Sequence, residues 1–254
     1  MNILCLIKQV PDSLEVHMGS DLTLQRDFVA QILNHADESA VELALRLRDT
    51  HGGKVTALTM GPPRAEGTLR ELVSRGVDEA ILMTDKAFAG ADTLATARAL
   101  AAAAKALGPF DLLLFGRRAA DGETGQVGPM TAALLGIPCA ANVTLAEYEG
   151  DRLIAHRLTE TGTIHWQTAL PAALTLCEWS YALRLPTMRG LRIARQAEIR
   201  IITPADIGIT DPSSIGLKGS PTRVTHISVR PSGVRPTKWI TAEEAAAIAE
   251  EVLS

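Results

Sequence analysis

Cysteine is rare in this chain of 254 residues, which contains only Cys5, Cys139 and Cys177. The three lie far apart, within or beside apolar segments, and no Cys-x-x-Cys pair occurs. This spacing argues against a disulfide framework and indicates small, buried apolar side chains. Such cysteine usage is typical of a reducing compartment, so we expect a cytoplasmic protein.

Aromatic residues, long apolar runs and a large excess of charge are also missing. Aromatic side chains make up 4% of the chain, which favours an α/β core of aliphatic side chains. No apolar run reaches the roughly 18–20 residues that span a bilayer, and the short apolar N-terminus lacks the basic region of a signal peptide. The net charge of −4 gives no drive towards nucleic acid. We therefore expect neither membrane insertion nor nucleic-acid binding.

Several familiar catalytic motifs do not occur either. There is no G-x-x-x-x-G-K-[ST] loop, no G-x-S-x-G elbow and no metal-ligand spacing among the six histidines. The glycines at positions 122, 125 and 128 lack the G-x-G of the dinucleotide fingerprint and follow the fourth predicted strand. No set of nucleophile, base and orienting group is evident. Chemistry is therefore expected to come from a bound cofactor, with no catalytic side chain.

Apolar runs alternate with helical patterns over the first half of the chain. Buried strands are predicted at Asn2–Ile7, Lys54–Met60, Glu79–Met83 and Phe110–Phe115. Helices are predicted between them at Asn34–Asp49, Glu66–Arg75 and Asp92–Leu107. Asp37 is the expected N-cap of the first helix. This order predicts an α/β fold with a doubly wound, mostly parallel sheet.

The pattern changes after Pro138. Alternating segments at Asn142–Tyr148 and Arg152–Glu160 flank a turn signal and predict a β-hairpin. Thr163–Leu170 is expected to add a third strand, and Ala172–Cys177 is expected to return to the core of the sheet. We therefore predict an α/β domain over residues 1–206, with a hairpin extension over residues 142–170.

From about Ile207 the chain is rich in Pro, Gly and Ser until a last helix at Thr241–Leu253. Thr241 and Glu244 have the spacing of a capping box. We expect residues 207–254 to form a C-terminal arm whose helix packs on a partner subunit. The alternative is a tail that folds back on its own domain.

The most informative stretch is Gly116–Pro129, which reads G-R-R-A-A-D-G-E-T-G-Q-V-G-P. It separates the fourth predicted strand from a predicted helix at Met130–Leu135. A Gly-rich loop in this setting presents backbone N–H groups to a phosphate. The loop is also too long for a simple connection, and Thr124 and Gln126 add hydrogen-bonding side chains. These features predict a site for a nucleotide diphosphate.

Other loops are expected to meet this one, because ligands collect at the carboxyl ends of the strands in an open parallel sheet. The segments concerned are Lys8–Asp12, Asn34–Asp37, Met60–Pro63 and Thr84–Thr93. For Asp92, a role as N-cap and a role as ligand contact are both open.

Together, several segments resemble the beta subunit of electron-transfer flavoproteins. They are L-C-L-I-K-Q-V-P-D (4–12), H-G-G-K-V-T-A-L-T-M-G-P-P (51–63), G-V-D-E-A-I-L (76–82), F-A-G-A-D-T-L-A-T (88–96), the Gly-rich loop (116–129) and G-L-K-G-S-P-T-R-V (216–224). The resemblance covers nearly the whole chain. It implies a Rossmann-like, adenine-nucleotide-binding fold and a heterodimer with an alpha subunit that carries FAD.

One branch of that family holds AMP in this cleft, and another holds a second FAD and bifurcates electrons. The loop D-G-E-T-G-Q-V-G-P is similar to the D-G-D-T-A-Q-V-G-P of the bifurcating branch. The resemblance therefore implies a flavin that accepts hydride from NADH. One electron would pass to the alpha-subunit FAD and a dehydrogenase, and the other to ferredoxin or flavodoxin.

The resemblance also implies cofactor-binding roles for matching positions. Leu6 and Lys8 would border the cleft, and Asn34 and Asp37 would lie where the family contacts adenine and ribose. The remaining positions would back the nucleotide, approach the flavin or hold the pyrophosphate: Met60, Asp92, Thr93, Thr96, Gly116, Arg117, Asp121, Gly122, Glu123, Thr124, Gly125, Gln126, Val127 and Gly128. A solvated surface charge is the alternative for Arg117.

The chain departs from the family in two places. The usual N-P-x-D is Asn34-His35-Ala36-Asp37 here, which weakens a rigid turn. In the predicted partner-recognition loop, residues 184–197, Met188 replaces the usual anchor Leu and the lysine run is thinned. The loop residues assigned to recognition are Leu185, Met188, Leu191 and Arg192. We expect a flavin-containing dehydrogenase other than the usual acyl-CoA dehydrogenase.

Two alternatives to a bifurcating subunit are open. The first is a conventional electron carrier that holds structural AMP in the cleft and receives electrons from an acyl-CoA-type dehydrogenase. The second is a nucleotide-binding regulatory module without redox chemistry. The flavin content of the complex with the alpha subunit distinguishes the first alternative from bifurcation.

Overall fold

The computed structural model describes residues 1–12, 30–225 and 239–253. Its strands are β1 (Asn2–Leu6), β2 (Gln9–Pro11), β3 (Gln31–Leu33), β4 (Lys54–Met60), β5 (Glu79–Met83), β6 (Leu112–Gly116), β7 (Cys139–Glu149), β8 (Arg152–Thr159), β9 (Gly162–Thr168), β10 (Ala172–Leu176) and β11 (Arg200–Ile202). Its α-helices are α1 (His35–His51), α2 (Glu66–Ser74), α3 (Thr93–Leu107), α4 (Val127–Leu135), α5 (Met188–Gln196), α6 (Gly216–Gly219) and α7 (Ala242–Leu253).

In the described residues, the main sheet has the order β11-β5-β4-β1-β6-β10-β7-β8-β9. Neighbouring strands are parallel from β11 through β7, and β8 and β9 continue the sheet in antiparallel pairs. A separate antiparallel ribbon joins β2 to β3. The doubly wound, mostly parallel sheet predicted from the sequence is therefore confirmed.

Two apolar layers, one on each face of the sheet, hold the helices in place. Ile3 and Cys5 of β1 lie in the layer formed with α1 and α2, whereas Leu4 and Leu6 lie in the layer formed with α3 and α4. All four side chains are buried. A parallel strand covered on both faces needs a continuous apolar run, which explains why this segment could be recognised from the sequence.

The hairpin extension is also confirmed. β7 and β8 pair around Gly150 and Asp151, whose φ angles of 53° and 65° are those that a two-residue hairpin turn of type I′ requires. β9 then pairs with β8, and β10 returns to the sheet between β6 and β7.

Some local expectations were wrong. Asp37 is not the N-cap of α1, because Asn34 takes that position and Asp37 lies buried inside the first turn. α4 begins at Val127, before the expected Met130. The predicted recognition loop at 184–197 contains a helix, α5, that packs on α2. The short strands β2, β3 and β11 were not foreseen.

The chain divides into two compact units, residues 1–223 and residues 224–254. Residues 207–223, which the sequence assigned to the arm, pack in the first unit, where Ile207 and Ile215 are buried. In the second unit the predicted capping box is present. Thr241 Oγ1 accepts the N–H of Glu244 at 3.2 Å, and the Glu244 carboxylate accepts the N–H of Thr241 at 2.9 Å. The predicted arm lies partly outside the described residues, and its packing on another subunit stays a prediction.

Candidate functional site

The predicted site lies at the switch point of the sheet. β1 and β6 are neighbours, but the next main-sheet strand after β1 is β4, on one side of the pair, and the next after β6 is β7, on the other side. The loops that leave such a pair of strands diverge and open a crevice at their carboxyl ends. The segment after β1, the start of α1 and the Gly-rich loop after β6 all meet there.

The Asp37 carboxylate forms hydrogen bonds at the carboxyl ends of both β1 and β6. Its carboxylate accepts the N–H of Lys8 at 2.7 Å and the N–H of Gly116 at 2.9 Å. The side chain is buried, and burial raises the pKa of Asp37 to about 7 even though both of these hydrogen bonds oppose the shift. Gly116 approaches so closely that a Cβ there would overlap Asp37 Oδ1 and Ala36. Glycine is therefore required at position 116.

Asn34 fastens the first part of the Gly-rich loop. Its side-chain amide donates to the carbonyl of Arg118 at 2.9 Å and accepts the N–H of Ala120 at 3.1 Å. Farther along, Lys8 Nζ pairs with Asp121 at 2.6 Å. The side chains of Asn34 and Asp37 therefore hold backbone in place and shape the crevice.

Past Asp121 the loop is open. Residues 122–126 are exposed, and Glu123 and Gly125 have left-handed φ angles of 49° and 62°. α4 starts directly after Gln126, whose side chain does not cap it. The first N–H groups of a helix have no partner inside the helix, so an uncapped start is suited to an anion. Gly128, by contrast, serves packing, since a Cβ there would overlap Thr175.

A second helix begins beside this one. Thr93, the first residue of α3, donates its hydroxyl to Gln126 Oε1 at 3.2 Å. Asp92 caps α3 by accepting the N–H of Ala95 at 2.9 Å, which confirms its role as N-cap. Its other carboxylate oxygen accepts from Thr222. Burial acts to raise the pKa of Asp92, but the hydrogen bonds from Ala95 and Thr222 outweigh it and lower the pKa.

Two arginines at the start of the Gly-rich loop share one carboxylate. Arg117 and Arg118 pair with Glu178 at 2.9 and 3.1 Å. Burial acts to raise the pKa of Glu178, but its hydrogen bonds, those from the two arginines included, outweigh it and lower the pKa. Arg117 Nε is buried and has no hydrogen-bond partner within the described residues. The guanidinium therefore keeps one donor that no group of the described residues satisfies.

The sequence reasoning missed Glu178 and its neighbour Trp179. Trp179 is 78% exposed, has a left-handed φ of 57° and lies 6.1 Å from the ring of His35. Both residues follow β10, so the rule that polar groups collect at the carboxyl ends of parallel strands could have found them.

The other predicted positions fall into three groups. Leu6 is buried in β1, whereas Met60 is half-buried at the carboxyl end of β4 and Thr96 is half-buried in the first turn of α3. The positions that hydrogen bonds bring together are Lys8, Asn34, Asp37, Gly116, Arg117 and Asp121 around the strand ends, and Thr93 with Gln126 at the two helix starts. The exposed positions of the loop are Gly122, Glu123, Thr124 and Gly125, followed by Val127 at the start of α4.

The predicted recognition residues lie elsewhere. Leu185 and Met188 are about four-fifths exposed, and Leu191 and Arg192 are also exposed. The Arg184 carbonyl accepts from Arg75 Nη1 at 2.7 Å, and Arg75 follows the last residue of α2. Because α2 ends just before β5 begins, Leu185 and Met188 lie at the amino edge of the sheet, away from the crevice.

Neither a metal-binding cluster nor a membrane-spanning helix is present in the part of the chain that the structure describes. No group of three or more His, Cys, Asp or Glu side chains there is arranged to hold a metal ion. None of the helices described combines the length and apolarity that crossing a bilayer requires.

The fold defines an α/β protein of the doubly wound class, with its candidate site at the switch point of the sheet. Comparison with known proteins gives the family: the electron transfer flavoprotein domain matches residues 21–207. The chain is 45% identical to the electron transfer flavoprotein subunit beta of Thermoanaerobacterium thermosaccharolyticum, over 90% of this chain and 88% of that protein. The chain therefore belongs to the electron transfer flavoprotein family, and the resemblance to its beta subunit is confirmed.

Other relatives carry different names. The Protein FixA of Azorhizobium caulinodans is 42% identical over 89% of this chain and 84% of its own length. The acryloyl-CoA reductase electron transfer subunit gamma of Anaerotignum propionicum is 42% identical over 69% of this chain and 67% of its own length. Proteins with different names are therefore similar to this chain over two thirds of its length or more.

Proposed function

We propose that this chain is the beta subunit of a heterodimeric electron-transfer flavoprotein that binds FAD in the crevice and accepts hydride from NADH. One electron then passes to the FAD of the alpha subunit and on to a flavin-containing dehydrogenase. The other passes to ferredoxin or flavodoxin. A bound flavin would supply the step from two-electron to one-electron chemistry. No nucleophile and base pair is evident among the described side chains of the crevice.

The observation that carries this proposal is the uncapped start of α4 at the end of the exposed Gly-rich loop, a loop whose first residues include Arg117 with its unpartnered Nε. Both are donors suited to the pyrophosphate of a dinucleotide. Thr124 and the N–H groups from Gly125 to Gly128 complete the phosphate cradle. Asn34 holds the first part of the Gly-rich loop, and Asp37 holds the ends of β1 and β6 together, so that the crevice between them keeps its shape. Met60 lies behind the nucleotide.

AMP is the second candidate ligand, since the same donors suit a single phosphate. The chain would then be the beta subunit of a non-bifurcating carrier. The deciding measurement is the cofactor content of this chain co-purified with its alpha subunit, by visible spectrum and acid extraction. Two FAD per heterodimer, both bleached by NADH, support the proposal. One FAD and one AMP contradict it in favour of the carrier.

Arg117 allows a test at the level of one atom. Arg117→Lys keeps the charge but removes Nε, so it should weaken nucleotide binding by about tenfold, as for the loss of a charge-assisted hydrogen bond. Arg118→Lys is the matched control, because Arg118 Nε already donates to Glu178 at 3.1 Å. Equal effects of the two substitutions on the dissociation constant would show that Nε has no special role.

A further inference from the structure

Residues 216–223, here termed the strap, run across the segment that leads into α3. The N–H of Leu217 donates to the carbonyl of Ala89 at 2.9 Å. Gly216 has a left-handed φ of 58°, and a Cβ there would overlap the carbonyl of Ala87. The strap therefore needs glycine at 216 and lies in direct contact with the segment before Asp92.

Asp92 is the centre of this contact. Its backbone N–H donates to Ser220 Oγ at 2.8 Å. Its carboxylate accepts the N–H of Thr222 at 3.0 Å and the Thr222 hydroxyl at 2.8 Å. Ser220 is buried, and its hydroxyl also donates to the carbonyl of Gly216 at 2.7 Å. Asp92 is thus held by the strap on both its main chain and its side chain.

The same residue borders the crevice. Thr93 follows Asp92 directly and donates to Gln126, which precedes the uncapped start of α4. The position of Asp92 therefore sets where the start of α3 stands against the start of α4. The Asp92 carboxylate is already bonded by Ala95 and Thr222. Of Asp92 and Thr93, it is therefore Thr93 whose side chain bonds Gln126 in the Gly-rich loop.

We propose that Asp92 and Thr222 are positioning residues for the nucleotide site, so that strap docking and nucleotide binding stabilise each other. This inference rests on the proposed function, because it requires a nucleotide in the crevice. Coupling between two sites is reciprocal. The strap therefore tightens nucleotide binding, and nucleotide binding protects the backbone of residues 216–223.

The test uses the full heterodimer freed of nucleotide, with AMP and FAD as probes. Thr222→Val removes the hydroxyl at constant size, and Thr222→Ser restores it. Ser213→Ala is the matched control, because its exposed hydroxyl bonds Asp211 at 2.6 Å, and the hydrogen bonds that hold Asp92 involve Ala95, Ser220 and Thr222. The dissociation constant of each probe and the hydrogen exchange of residues 216–223 are measured with and without nucleotide.

The expected result is a weakening of about five- to tenfold in Thr222→Val, the lower range of allosteric coupling, with Thr222→Ser and Ser213→Ala close to the wild type. Nucleotide should slow exchange in the strap of the wild type and do so less in Thr222→Val. Unchanged affinity in Thr222→Val, with faster exchange in the strap, would show a purely structural contact and overturn the coupling alone. A wild-type heterodimer that binds neither AMP nor FAD in this chain would overturn the proposed function itself.

Discussion

At the residue scale, Gly116 offers the sharpest test of how the crevice is built. Gly116→Ala places a methyl group on Asp37 Oδ1 and Ala36. We expect a loss of about 1–3 kcal/mol in the free energy of unfolding, as for other overpacked sites. Urea unfolding measures it. Gly122→Ala is the control, because its Cβ would meet no atom within 4 Å, and it should change stability by less than about 0.5 kcal/mol.

Asp37 predicts a pH dependence. Its folded pKa of about 7 lies above the roughly 3.9 of an exposed Asp, so the folded state holds the proton more tightly. The contribution of this carboxyl to stability is therefore complete below about pH 4 and is lost as the pH rises through about 7. Asp37→Asn removes this titration. The stability of the wild type relative to the variant should fall between about pH 4 and pH 7 in urea unfolding and level off above. A difference that stays constant over this range contradicts the assignment.

The sequence predicted that the site residues gather at the carboxyl edge of the sheet, and most of them lie there in the structure, but the sequence did not establish what their side chains do. Asn34 and Asp37 were assigned to adenine and ribose, yet their side-chain atoms bond the backbone of the strand ends and the loop. A sequence shows that a polar residue follows a strand. It does not show whether the protein's own backbone already occupies that residue's lone pairs.

Among the helices, α5 has one face that packs on α2 and another that is exposed and predicted to recognise a partner. Gly190 faces α2 so closely that a Cβ would overlap the carbonyl of Ser74, whereas Met188 is 80% exposed. Gly190→Ala should therefore lower the free energy of unfolding by about 1–3 kcal/mol. Met188→Ala should leave it within about 0.5 kcal/mol of the wild type.

Met188→Ala tests recognition itself. Loss of an apolar anchor at the centre of an interface typically weakens binding by about tenfold or more. Electron transfer to the dehydrogenase partner, measured against partner concentration, should show this as a higher KM. If every candidate dehydrogenase accepts electrons from the variant as from the wild type, Met188 is not an anchor.

The elements that were predicted well share one property, a continuous or periodic apolar pattern. β1, β4 and β5 are apolar runs buried on both faces, and their bounds were predicted to within one residue. α5 was predicted as a loop on the strength of the family resemblance, although Met188, Leu191 and Ala194 have helical spacing; the helix has nine residues, of which Ala194 alone is buried. β2, β3 and β11 are three residues each, too short to show a period.

At the scale of the whole molecule, the first compact unit should not need the second for stability. The described core clusters lie entirely within residues 1–223. A chain ending at Arg223 should therefore unfold at the same urea concentration as the full chain. Its association with the alpha subunit should be weaker if the arm packs there, which analytical ultracentrifugation measures. A lower unfolding midpoint would show that residues 224–254 support the first unit.

The boundary of this unit could not be read from the sequence. Residues 207–223 are rich in Pro, Gly and Ser, and the buried Ile207 and Ile215 are too few to indicate packing. Their hydrogen bonds to the α3 segment depend on Asp92, which lies far away in the chain. Contacts of this kind have no local pattern.

The placement of Leu185 and Met188 at the amino edge has a consequence for kinetics. The five residues of β5 alone separate the two edges by about 17 Å. If Leu185 and Met188 recognise a dehydrogenase as predicted, that partner would be tethered at the amino edge, and the tether would raise the effective concentration of its redox centre without touching a flavin in the crevice. The affinity for the dehydrogenase and the rate of electron transfer to it would then be independent of each other. Substitutions at Met188 and substitutions in the crevice should therefore have additive free-energy effects when they are combined.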